Sequence, residues 1–93
     1  MRSVDLAIYA DALAGEAASL AARVERARSR LRQAAIERAA REELAPAIVA
    51  RLEALGLLAT RVDRGELREL EDALDAVEEL QAWVEGRLAA SAA

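Results

Sequence analysis

Apolar residues recur at Leu6, Ala10, Leu13, Ala17, Leu20, Val24, Ala27, Leu31 and Ala34, in steps that alternate four and three. That rhythm holds one stripe in register along a helix for about four heptads. No proline precedes Pro46, and the single glycine in this part, Gly15, lies off the stripe. The pattern therefore predicts one helix over about residues 4–44. Ser3 stands where an N-cap belongs, and Asp5 falls in the first turn, where negative charge complements the helix dipole. At ~1.5 Å per residue such a helix is a rod of ~60 Å, too long to be stable in water without a partner along its length.

Pro46 ends the run, because the residue before a proline is pushed away from helical dihedrals. Proline also suits the first turn of a new helix, predicted over about residues 46–55, with Ile48, Leu52 and Leu55 on one face. Gly56 is placed to end it as the left-handed C′ residue. A connector follows over Leu57–Val62, and then Asp63 and Glu66 stand in the D-x-x-E spacing of a capping box. The third predicted helix covers about residues 64–89. Its seam is Leu67, Leu70, Leu74, Val77, Gln81, Val84 and Leu88, with Leu80 and Trp83 beside it, and Ala89–Ala93 is expected to fray.

These elements predict an all-α single domain over residues 1–93. Two layouts fit the lengths: an αα-hairpin whose return arm is broken at the connector, or a compact three-helix bundle. The hairpin leaves Leu80 and Trp83 open and so predicts a symmetric dimer with a four-helix cross-section. The expected oligomer interface follows the two seams: Leu13, Leu20, Val24 and Leu31 from the first helix, and Leu74, Val77, Leu80 and Trp83 from the last. Parallel and antiparallel packing of the two copies remain equally open.

Composition sharpens that expectation. The chain is 55% apolar, but much of this is alanine, and Tyr9 and Trp83 are the only aromatic residues. A chain of this size buries only ~60–65% of its surface when alone, so association adds burial that the monomer lacks.

Charge is unevenly spread along a chain of net −4. Residues 65–93 hold two arginines against eight acids, a balance of −6, which leaves +2 for residues 1–64. Arg23, Arg26 and Arg30 project onto one flank of the first seam, Arg28 and Arg32 onto the other. The arginines straddle the apolar stripe, so their stems are expected to cover its rim while their heads pair with acids of a neighbouring helix. The sharper alternative is that Arg23, Arg26, Arg30 and Arg38 contact nucleic-acid phosphates. It is opposed by the acidic whole-chain balance and by the absence of any reading motif.

The same sequence excludes most chemistry. It has no cysteine and no histidine, which removes thiol nucleophiles, imidazole bases and the commonest metal ligands. Ser19, Ser29, Ser91 and Thr60 have neither histidine nor lysine to activate them. No phosphate-binding loop, dinucleotide fingerprint or H-E-x-x-H is present. The run LRELEDALDAVEELQ, Leu67–Gln81, resembles the opening helix of the small all-helical chorismate mutases. It lies at the wrong end of the chain and lacks the basic residues with which that family holds its substrate. No catalytic, cofactor or metal residue is expected, and no run of ~18 uncharged apolar residues could span a membrane. The expectation is a small cytoplasmic interaction or scaffolding protein, acting as a homodimer or through a heterologous protein partner.

Overall fold

The computed structural model describes residues 1–92, and among these every regular element is a helix: α1 (Ser3–Glu43), α2 (Pro46–Ala54) and α3 (Arg64–Ala92). The boundaries lie within a few residues of those expected. Ser3 is the exception in role, because it is the first helical residue. Arg2 holds the cap position in extended conformation, and no side chain caps the helix there. Asp5 does sit in the first turn. The expected fray from Ala89 is also absent as far as Ala92, in keeping with the helix propensity of alanine. Ala93 lies outside the described residues.

Two extended residues, Leu44 and Ala45, turn the chain at the proline. α2 then ends on a complete Schellman arrangement. Gly56 adopts φ 78°, its N–H donates to Glu53 at 3.0 Å, and the N–H of Leu57 donates to Leu52 at 3.0 Å. At the start of α3, Asp63 caps as expected. Its Oδ1 accepts the N–H groups of Gly65 at 2.9 Å and Glu66 at 3.2 Å. The Glu66 side chain reaches across to Arg30.

The layout is the hairpin with a broken return arm. α3 packs on α1, α2 touches α1 alone, and contacts descend α1 as the return arm advances. Arg41 meets Glu53, Glu37 meets Thr60, Arg30 meets Glu66, and Leu6 and Leu13 meet Val84. The compact three-helix bundle is thereby excluded. Both seams are used, against each other. One cluster joins Leu20, Val24 and Ala27 to Leu70, with Leu67, Leu74 and Val77 packed beside them. The other joins Leu6 and Leu13 to Val84, with Leu80 and Leu88 alongside.

The result is a rod of 69 × 18 × 16 Å with a radius of gyration of 21.1 Å. A compact chain of this length has a radius of about 12 Å. Its core is two helices thick. The accessible surface of 6866 Å² is about 1,600 Å² more than expected for a compact 10.0 kDa monomer.

Candidate interaction surface

The hairpin closes within one chain the seam expected to join two copies. Leu13, Leu20 and Val24 are buried in it, and Leu31, Leu74, Val77 and Leu80 are half-buried. Leu31 lies level with the first turn of α3, next to Arg30, which faces Glu66, and is outside both core clusters. The other six residues pack between the two arms of the hairpin. Of the expected interface set only Trp83 is open, with half its surface exposed.

Trp83 belongs to a different surface, on one flank of the seam at the open end of the hairpin. Here Met1, Leu6 and Tyr9 of the N-terminal end face Leu80 and Trp83 across a cavity of about 300 Å³, with Asp5 as its one charged lining residue. Two facts place the aromatic ring outside the core. Trp83 projects one flank away from the Leu70–Val77–Val84 line, and the guanidinium carbon of Arg87 lies 5.7 Å from its ring centroid. That cation–π contact holds the ring against its own helix while leaving a face open. Tyr9 is also half-exposed, so both aromatic residues of the chain stand at this end, partly wet. Aromatic groups that are large, stiff and half-covered are what interfaces enrich.

Tyr9 was legible but unread. It stands seven, fourteen and twenty-one residues before Glu16, Arg23 and Arg30. The heptad projection that sorted the arginines into two flanks therefore places Tyr9 on the flank of Arg23 and Arg30.

A second apolar surface lies on α2. No residue of this helix is buried. Ile48, Leu52 and Leu55 line a shallow cavity of about 490 Å³ together with Ala47 and Arg51.

The arginines divide as their flanks do. Arg28 bridges Glu25 at 3.4 Å and Glu71 at 3.1 Å, Arg30 reaches Glu66 at 3.5 Å, and Arg41 reaches Glu53 at 3.2 Å. Arg41 also donates to the carbonyl of Leu58. Arg28 is held above its ordinary pKa, chiefly by the hydrogen bond to Glu71. Of the four candidate phosphate contacts, Arg30 is thus engaged inside the chain. Arg23, Arg26 and Arg38 are exposed and make no ion pair among the described residues.

Among the described residues one charged side chain is buried, and it was not foreseen. Glu37 keeps 9% of its surface, beneath the connector. Its Oε1 accepts the backbone N–H of Thr60 at 3.4 Å, while Oε2 has no hydrogen-bond partner. Gln33 and residues 56–60 line the small space around it. Among the described residues, no three carboxylates gather closely enough to hold a metal ion, and no helix is long and apolar enough to cross a membrane.

Compared with family models, with curated proteins and with solved structures, the chain finds no match in any of the three.

Proposed function

We propose that this protein is a helical protein–protein interaction module that self-associates as a homodimer. In this reading the interface is the flank carrying Tyr9, Leu80 and Trp83. The α1–α3 pairing along alternating three-four seams is read as coiled-coil packing, extended by a second copy into a helical bundle. A cytoplasmic setting and the absence of enzymatic activity belong to the same proposal. The latter is supported by a sequence without histidine, cysteine or lysine.

The observation that carries it is the surplus of surface. A standard interface covers about 800 Å² on each partner. This chain leaves about 1,600 Å² more exposed than a compact monomer would, with its two aromatic residues among the open side chains. A heterologous partner would draw on the same surplus.

Nucleic acid is the weaker reading. Two of the three unpaired candidate arginines, Arg23 and Arg26, share their flank of the hairpin with Glu66 and Glu69 of α3. Those carboxylates repel a phosphate backbone at the same place.

Light scattering on the intact chain and on Trp83→Glu tests the proposal. The expected masses are twice 10.0 kDa for the unaltered chain and 10.0 kDa for the variant, with equal helical circular dichroism. An unaltered chain that stays at the single-chain mass at high concentration removes the proposal.

A further inference from the structure

The two flanks of the α1–α3 seam are unlike. On one, Ala21, Glu25 and Arg28 of α1 face Glu71 and Asp75 of α3, and Arg28 bridges two of the three carboxylates, Glu25 and Glu71. The other carries Tyr9, Leu80 and Trp83 near the open end and the Arg30–Glu66 pair further along. Projected at about 100° per residue, Arg23 and Arg26 lie on this second flank of α1, within two turns of Arg30. Glu69 lies on the same flank of α3, within one turn of Glu66, whereas Asp72 projects from the back of that helix.

The helices are antiparallel with Arg30 level with Glu66, so the free arginines and the free Glu69 stand at about the same height along the rod. All three are exposed, and none is ion-paired among the described residues. Towards the open end both signs invert: Asp5 and Glu16 lie on this flank of α1, and Arg87 on that of α3. Between the charges the flank is made of small residues. Ala12 and Ser19 on α1, and Ala73 and Ala76 on α3, are all exposed and leave room for another helix to approach closely.

We infer that this flank is covered by a second copy related by a two-fold axis running along the rod, which sets α1 of each copy against α3 of the other. A two-fold of that direction keeps heights matched. Arg23 and Arg26 of one copy then face Glu69 of the other, twice over, and Asp5 and Glu16 face Arg87. The Tyr9–Leu80–Trp83 surface closes at the same end of both copies. A two-fold across the rod would set the open end against the α2 end or against itself, and the matched heights would be lost. The inference rests on the proposed self-association and adds to it the face, the axis and the charge register. Complementary charge of this kind fixes orientation more than it adds affinity.

The experiment is a charge swap read by sedimentation equilibrium. One variant carries Arg23→Glu and Arg26→Glu, so the whole middle of the flank is acidic. The other carries Glu69→Arg, so the same stretch is basic. Each variant alone is expected to dimerise at least tenfold more weakly than the unaltered chain. An equimolar mixture is expected to recover the dimer mass, because the mixed pair restores opposite signs at both contacts. Recovery on mixing also shows that both variants are folded. If the unaltered chain dimerises and either variant alone matches it, the face and axis are overturned while self-association stands. If the unaltered chain is a monomer, self-association itself fails.

Discussion

Arg28 of α1 and Glu71 of α3 meet at 3.1 Å, joining residues 43 positions apart, with 46% and 41% of their side chains exposed. The same guanidinium also reaches Glu25 at 3.4 Å, so one arginine ties its own helix to the return arm. Pairs this open are screened and hold mobile side chains in place at an entropic cost. Glu71→Gln is therefore expected to lower Tm by less than about 3 °C, and still less in high salt. The pH dependence follows from the raised pKa of Arg28. A cation whose pKa is higher folded than unfolded stabilises the fold below its unfolded pKa, and loses that contribution only as pH rises through the folded value. Denaturation between about pH 6 and pH 9 should show no change attributable to Arg28, with its loss confined to strong alkali. A Tm difference between Glu71→Gln and the unaltered chain that varies across that range would contradict this.

Leu13 and Ile36 are both large aliphatic residues on α1, and the structure separates them sharply. Leu13 keeps 7% of its surface and packs with Leu6 and Val84, whereas Ile36 keeps 70%. Truncating a buried leucine to alanine costs about 2–5 kcal/mol, and truncating an exposed residue usually within about 0.5 kcal/mol. Leu13→Ala should sit near the lower end of its range, because the two-helix core lets solvent and neighbours close on the gap. Urea denaturation of both variants checks the contrast. Equal midpoints would place the seam elsewhere.

Gly56→Ala isolates a backbone effect. A Cβ at this position would meet nothing within 4 Å, so crowding contributes nothing. The φ of 78° is what an L side chain resists, at about 1–2 kcal/mol. The variant should lose about that much stability in chemical denaturation with its helical content retained. A neutral result would show that the Schellman turn can be replaced without loss.

Glu37→Gln keeps an oxygen to accept the Thr60 N–H and removes an uncompensated charge beside the unpartnered Oε2. A buried charged group without partners costs more than a neutral amide in the same place. The expected outcome is a rise in Tm of a few degrees, corresponding to about 1 kcal/mol in a domain of this size. A fall instead would assign the carboxylate a stabilising role.

Most of the backbone was legible because alternating three-four steps, one proline and one left-handed glycine are strong local signals. The choice of hairpin over bundle was legible only in part, since both satisfy the same seams. What the pattern missed has identifiable causes. Continuing the alternation beyond Ala34 points to Arg38, yet the structure buries Glu37 and leaves Arg38 exposed. Here α1 is faced by the connector, residues 56–60, instead of by α3, and that segment covers the side bearing Glu37. The seam expected to join two chains packs between two arms of one chain, which meet at far higher effective concentration. Trp83 remained outside because it lies off the seam.

The descending contacts of the return arm have a kinetic consequence. Pairs near the turn close short segments, as Arg41 with Glu53 does over 12 residues, while the Leu6–Val84 contact must wait for nearly the whole chain. Loop closure grows costlier with length, though slowly, so the arms zip from Pro46 towards the termini and unzip in reverse. Amide exchange should therefore quicken from the middle of the rod towards the termini and be fastest beyond Val84. That last-closing end is where Tyr9 and Trp83 stand half-open. A second copy settling there acts as a clasp on the zipper, and makes completion of the fold and recognition of a partner one and the same event.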